Sequence, residues 1–227
     1  MRIIVFGGFV DYQIQLANAL PEKEEVMCVL VARSLPKEFV GTIDKKVALH
    51  LLRGRSPIFH PANLCSLAKL LRTISQFKPD MIHFQLGGGV VDLAIFLYCK
   101  ILKRYPVVAT FHDVRLHPGE ERWLANRIRH CIRKSSDQII VHGEKLKQQM
   151  IEEYHLPNEK VHAIHIGEHE VAPFKKYERE NLGEDGNLIL FFGRIWKYKG
   201  LEYLIKAEPL ITKEVPDAKI VIAGAGE

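Results

Sequence analysis

Short apolar runs rich in Val and Ile alternate along this chain with stretches of helical spacing. Residues 2–6 predict a strand, and Gly7-Gly8 a turn behind it. Val10, Ile14, Ala17 and Leu20 then recur at helical intervals until Pro21 stops the pattern. Residues 26–32 and 47–52 predict two further strands. Asn63 is placed to cap a helix whose apolar stripe is Leu64, Leu67, Leu70, Leu71 and Ile74. Strands are predicted at 81–85, 107–111, 138–142 and 161–166, with helices at 90–102, 120–134 and 144–154 between them. Repeated strand–helix units of this length predict an α/β fold, a Rossmann-like doubly wound parallel sheet with helices on both faces.

The pattern breaks at Glu168. The following segment to Asn187 is polar, charged and aperiodic, which marks a linker. One more unit follows it. Residues 188–192, LILFF, form a continuous apolar run, as expected for a strand buried on both faces. A helix opens at Leu201 and carries Leu201, Leu204, Ile205 and Leu210 on one side. Pro209 is expected to kink or split it, because its missing N–H removes a bond to Ile205. Residues 219–223 predict the closing strand. The expected organisation is a domain at 1–168, a linker at 169–187 and the start of a second domain at 188–227. Two parallel strands and one helix cannot cover their own apolar faces, so this second domain reads as cut short.

Composition narrows the class without choosing a chemistry. Hydrophobic residues make up 47% and charged residues 26%, an ordinary soluble globular balance. The formal net charge of +5 permits anionic ligands without demanding them. The four cysteines, Cys28, Cys65, Cys99 and Cys131, form no CxxC and are expected to be buried free thiols of a reducing compartment. The opening MRIIVFGG is too short an apolar run for a signal peptide, and no run reaches the length of a membrane span. The chain is therefore expected in the cytoplasm, with the inner membrane face within reach. No aromatic-interleaved basic run or known module points to nucleic acid.

The strongest chemical pattern lies behind the run at 188–192. Gly193 allows a sharp turn, and Arg194 and Lys199 stand in the loop before a helix opening at Gly200. Strand carboxyl ends that face helix N-termini are where open α/β sheets bind ligands. The free N–H groups of the helix, with a guanidinium and an ammonium, make a site for a dense anion, most simply a diphosphate. Gly224, Gly226 and Glu227 follow the next strand and would line the same crevice. Two ordinary turns with solvated cations are the plainer alternative. Earlier in the chain, His112 and Asp113 stand at a strand end, where polar side chains commonly act. A loop histidine and a helix cap are their plainer reading. Gly7, Gly8, Gln85, Gly87, His165 and Gly167 occupy the other turns on the same sheet edge.

The segment FFGRIWKYKGLEYLIKAEPLITKEVPDAKIVIAGAGE resembles the nucleotide-sugar half of GT-B glycosyltransferases of the family 4 (group 1) type. Gly7-Gly8, the run Thr110-Phe111-His112-Asp113, and His165 with Gly167 agree with that resemblance more loosely. It implies two Rossmann-like domains facing each other, the first taking a carbohydrate or lipid-linked acceptor and the second a nucleoside-diphosphate sugar. It further implies transfer with retention at the anomeric carbon, with no metal and no cofactor beyond the sugar nucleotide. Arg194 and Lys199 would stabilise the departing diphosphate, and Gly224 to Glu227 would form a second donor loop. His112 would contact the transferred sugar or an acceptor hydroxyl. The family also carries an acidic pair further along, beyond Glu227. Two alternatives therefore stay open: a non-catalytic acceptor-binding fragment, and a nucleotide-sugar epimerase of the same architecture.

Two clusters carry competing readings. His162, His165 and His169 with Glu168 and Glu170 fit no closed zinc pattern, so no metal site is expected. Arg122, Arg127, Arg129, Arg133 and Lys134 crowd one helix with Trp123, Leu124, Ile128 and Ile132. Such a helix either lies on anionic lipid as a peripheral contact or is a normal surface helix with its apolar stripe in the core. Self-association through the incomplete second half is a further expectation.

Overall fold

The computed structural model describes residues 1–32, 35–52, 61–85, 89–118, 123–167 and 186–226. These fall into two compact units, one carrying a seven-stranded sheet and the other a two-stranded sheet.

The first unit contains β1 (Arg2–Gly7), α1 (Val10–Ala19), β2 (Glu25–Val31), β3 (Ala48–Leu52), α2 (Pro61–Phe77), β4 (Met81–Gln85) and α3 (Val90–Leu97). It continues with β5 (Val107–Phe111), α4 (Trp123–Ser135), β6 (Gln138–Val141), α5 (Glu144–Tyr154) and β7 (Val161–Ala163). The strand order is β3-β2-β1-β4-β5-β6-β7, and every pairing is parallel. The chain thus winds outward from β1 in one direction, returns, and winds outward in the other. The reversal lies between β1 and β4, the position where doubly wound sheets open a crevice at their carboxyl ends.

The continuous apolar runs are explained by burial on both faces. Ile3 and Val5 of β1, with Val26, Cys28 and Leu30 of β2, pack on one side with Ile14 and Ala17 of α1. Ile4, Phe6, Met27 and Val29 point the opposite way, into a second core with Leu70 and Ile74 of α2 and Ile128 and Ile132 of α4. Alternate residues of one strand feed opposite cores, so neither set can be polar. One buried polar residue, Gln13 of α1, donates its amide to the carbonyls of Val5 at 2.9 Å and Val29 at 2.7 Å.

Several expectations need correction. Helix α2 begins at Pro61, so Asn63 lies inside it and is not its cap, and Leu64 at its start is 63% exposed. Proline at a first helical position has no N–H to leave unpaired, which favours the earlier start. The helix expected over 90–102 is α-helical only to Leu97 and closes with a π turn at Tyr98–Leu102. Cys28 and Cys99 are buried free thiols, pushed up to about 12 by desolvation, whereas Cys65 is free and exposed.

The second unit contains β8 (Leu188–Phe192), α6 (Leu201–Glu214) and β9 (Lys219–Ala223), with β8 and β9 parallel. Helix α6 runs through Pro209 without splitting. A single missing N–H costs one ladder bond, and the turns on either side retain theirs. Strand β8 is not buried on both faces: Leu188, Leu190 and Phe192 are exposed, Phe192 by 82%, while Ile189 and Phe191 are half-buried. That alternation is the signature of a sheet covered on one side. Among the described residues, α6 is the one α-helix of this unit.

Candidate functional site

Because all seven strands run the same way, their carboxyl ends share one edge. Gly7 of β1 stands opposite Gln85 of β4, and Gln85 opposite Thr110 of β5. A β-carbon on Gly7 would meet the Gln85 Cβ at 2.4 Å and its carbonyl oxygen at 2.6 Å. Glycine is therefore a steric requirement at this point of the sheet. Gly8 has open space around it and is exposed. The Gln85 side chain is 1% exposed, and neither its Oε1 nor its Nε2 has a partner among the described residues. An unpaired buried amide costs on the order of 1–3 kcal/mol, so it marks a place where a ligand or water completes the bonding.

Beside it stands a cluster of imidazoles. His83 of β4 is buried and pairs its Nε2 with the Thr110 hydroxyl at 2.6 Å. His112 directly follows β5, and His142 directly follows β6. The His112 Nδ1 and the His142 Nε2 are 3.1 Å apart, and the His142 Nδ1 is 3.0 Å from the carbonyl oxygen of Ile164 behind β7. Two aromatic side chains from the start of α1 close over the pair. Phe9 has its ring centroid 4.0 Å from that of His112, and Tyr12 lies edge-on to both imidazoles at 5.1 and 5.3 Å. Burial holds His112 down at about 4, helped by the neighbouring His142 and opposed by Asp113 and Asp11. Burial holds His83 at about 4 as well. Both rings are therefore neutral at pH 7. The His112 Nε2 is buried and has no partner among the described residues.

Asp113 is exposed, and its backbone carbonyl accepts from Arg129 Nη2 at 2.5 Å. His165 and Gly167 follow Ile164 and are exposed. Among the described residues, no group of three or more His, Cys, Asp and Glu side chains is arranged to hold a metal ion, and His162 bonds Gln138 Oε1 at 2.6 Å. Gly87, Glu227, Arg122, Glu168, His169 and Glu170 lie outside the described residues.

Helix α4 keeps Arg127 and Lys134 exposed but buries two of its other arginines. Ile128 and Ile132 enter the core as expected, but Arg129 and Arg133 are buried with them, at 7% and 3% exposure. Both guanidinium groups lie over the Phe111 ring, and that of Arg133 also stacks 3.4 Å from the Tyr154 ring centroid. Aromatic faces and the Val114 carbonyl thus replace water around Arg133. These arginines, with Arg115, Trp123 and Glu153, line a concavity of about 540 Å³ that contains none of the strand-end residues above.

In the second unit, the pairing of β8 with β9 continues beyond the strands. Gly193 N–H donates to the Ala223 carbonyl at 3.0 Å and Ile195 N–H to the Ala225 carbonyl at 2.8 Å, and Ile195 forms a parallel bridge with Gly226. The two loops are pressed together. A β-carbon on Gly224 would lie 1.8 Å from the Gly193 carbonyl oxygen, and one on Gly226 would lie 2.5 Å from the Ile195 carbonyl oxygen. The G-A-G alternation is thus set by contact with the neighbouring loop. Gly193 itself adopts φ +133° and Gly200 φ +71°, conformations that other residues rarely take. Arg194 lies between these paired segments, with its guanidinium 5.2 Å from the Trp196 ring centroid. Lys199 ends a short 3-10 turn at Lys197–Lys199, 5.2 Å from the Tyr198 ring centroid. Gly200 then opens α6 with no side chain capping its free N–H groups, and Glu202 sits in the first turn.

The sequence singled out His112 at its strand end but did not point to His83, Tyr12 and His142 as its neighbours. His142 carried a legible signal, because it directly follows β6 as His112 directly follows β5.

Comparison with known proteins identifies the family. Residues 6–167 match the family model described as Glycosyltransferase Family 4, and residues 174–227 match Glycosyl transferases group 1. An uncharacterized glycosyltransferase of Methanocaldococcus jannaschii is 27% identical over 98% of this chain and 60% of its own length. A D-inositol 3-phosphate glycosyltransferase of Thermobispora bispora is 27% identical over 97% of this chain and 56% of its own length. The chain thus spans somewhat more than half the length of these curated relatives. Among solved structures, UDP-GlcNAc 2-epimerase from Neisseria meningitidis bound to UDP-GlcNAc matches with a TM-score of 0.65 at 15% identity, over 99% of this chain and 66% of that one. Anabaena HepE in complex with UDP matches with a TM-score of 0.63 at 15% identity, over 100% of this chain and 62% of that one. At such identity these structures speak for the fold alone. The family match covers most of the seven-stranded unit, and on it the chain belongs to glycosyltransferase family 4, with a group 1 segment following.

Proposed function

We propose that this chain acts in glycosyl transfer from a nucleoside-diphosphate sugar to an acceptor hydroxyl, with retention at the anomeric carbon. The loops of the second unit take the diphosphate, and the strand ends of the first unit take a hydroxyl-bearing ligand, a carbohydrate or lipid-linked acceptor. The observation that carries this reading is the pairing of Ile195 with Gly226. It locks the loop bearing Arg194 against the glycine loop, just ahead of the uncapped start of α6.

Cleavage of a sugar–phosphate bond leaves negative charge growing on the diphosphate. Arg194 can grip two oxygens at once, Lys199 adds a point charge, and the free N–H groups of α6 add a partial one. Groups fixed beforehand stabilise developing charge without reorganising, which is the most effective form of electrostatic catalysis. In this reading the cations and N–H groups supply the stabilisation with no metal ion. In the first unit, the lone pair on His112 Nε2 and the unpaired Gln85 amide, both buried, complement the hydroxyls of a sugar-like ligand. Family membership and curated relatives named as glycosyltransferases support the reaction class.

The test is thermal denaturation of the chain with UDP-, GDP- and ADP-sugars. One nucleotide class is expected to raise the melting temperature with increasing concentration, by mass action. No shift with any of them at millimolar concentration contradicts the reading.

Peripheral contact with an anionic membrane surface is a narrower part of the proposal. Trp123, 72% exposed at the start of α4 with Arg127 stacked against it, supports that contact. No described helix is long and apolar enough to cross a membrane. Flotation with vesicles containing anionic lipid tests the contact, and absence of co-flotation ends it.

A further inference from the structure

The histidine pair has a direction that its distances impose. A backbone carbonyl oxygen only accepts hydrogen bonds, so the His142 Nδ1, 3.0 Å from the Ile164 oxygen, must carry a proton. That carbonyl is fixed, because the Ile164 N–H donates to the Val141 carbonyl at 2.9 Å and extends the β6–β7 ladder. A neutral His142 protonated on Nδ1 has a bare Nε2, which can only accept. The partner at 3.1 Å, His112 Nδ1, must then be the donor. A neutral His112 protonated on Nδ1 has its lone pair on Nε2, the buried atom with no partner among the described residues. The order therefore runs from the His112 Nε2 lone pair, through both Nδ1 protons, to the Ile164 carbonyl.

We propose that His142 is a positioning residue, which holds the His112 ring in the tautomer whose Nε2 lone pair accepts a hydrogen bond from a ligand hydroxyl. The ligand in this statement is the one the proposed function assigns to the first unit. Without His142, nothing else among the described hydrogen-bonding partners of His112 selects that tautomer. The carbonyl behind β7 thus dictates the chemistry of a ring behind β5, with His142 as the link between them.

The experiment is long-range proton–nitrogen NMR of the imidazole rings in the full chain, with the His112 signals identified by their loss in His112→Gln. At pH 7.5 the wild-type ring is expected to show a protonated Nδ1 and a bare Nε2. In His142→Phe, which keeps a ring but removes both hydrogen bonds, the His112 proton is expected to shift to Nε2 or to divide between the two nitrogens. In His142→Gln, whose amide can both accept and donate, the wild-type pattern is expected to return. A wild-type His112 protonated on Nε2 overturns the proposal. So does an unchanged His112 in a folded His142→Phe chain, or a His142→Gln chain that behaves like His142→Phe. The measurement involves no sugar, so its failure and a failure of nucleotide-sugar binding are separate results.

Discussion

Gly7 and Gln85 face each other where the sheet reverses its winding, and a β-carbon on Gly7 would lie 2.4 Å from that of Gln85. The neighbouring atoms belong to a buried strand whose backbone cannot yield cheaply. Gly7→Ala is expected to destabilise the chain by about 1–3 kcal/mol, the usual cost of overpacking. Gly8→Ala, with open space around the new methyl group, should stay within about 0.5 kcal/mol of wild type. Urea denaturation of both variants checks the pair. Equal effects would deny that close approach, and not turn geometry alone, fixes glycine at position 7.

The buried imidazoles make stability depend on pH. His83 and His112 are held near 4 in the folded chain, against an ordinary value of 6.5. Between those values the unfolded chain binds more protons than the folded one, so stability falls as the pH drops. The contribution is complete above about pH 6.5 and is lost progressively towards about pH 4. His112 is partly exposed, so its share is the smaller, and a combined loss of roughly 1–3 kcal/mol is expected. Replacing His83 by Gln removes one titrating group and should flatten the decline in unfolding free energy between pH 7 and pH 4.5. An undiminished slope contradicts the assignment.

The glycines behind β9 are predicted to matter for a different reason from those behind β8. Gly224 and Gly226 have no room for a β-carbon, whereas Gly193 has room but adopts φ +133°. Gly224→Ala and Gly226→Ala should therefore separate the two loops. Amide hydrogen exchange at Ile195, whose N–H donates to the Ala225 carbonyl, reports that separation. At least tenfold faster exchange at Ile195 is expected in Gly226→Ala, and unchanged protection would show that the loops do not depend on the contact.

Much of the fold was legible because its strands obey one constraint. Buried on both faces, β1, β2, β4 and β5 had to be continuous apolar runs, and their bounds followed within a residue or two. The same rule misled at β8, where an equally apolar run is covered on one side only. Hydrophobicity alone does not reveal how many layers surround a strand. The start of α2 was misplaced because Asn63 offered a cap, while Pro61 offered a first helical position that needs no N–H. The arginines of α4 were the largest surprise. A basic residue counts as surface in any pattern, and only the placement of Phe111 and Tyr154 shows that aromatic faces receive Arg133 inside. Of the candidate site, strand-end residues could be found from sequence because parallel strands must end together. Tyr12 and His83 could not, since they approach His112 from α1 and from within β4.

The most direct test of the central claim is calorimetric titration of the chain with the nucleotide sugar that stabilises it best, repeated on Arg194→Ala and Lys199→Ala. Saturable binding is expected for wild type. At least tenfold weaker binding is expected for Arg194→Ala, with a smaller loss for Lys199→Ala, as fits a two-oxygen grip against a point charge. Equal affinity in wild type and both variants would contradict the account.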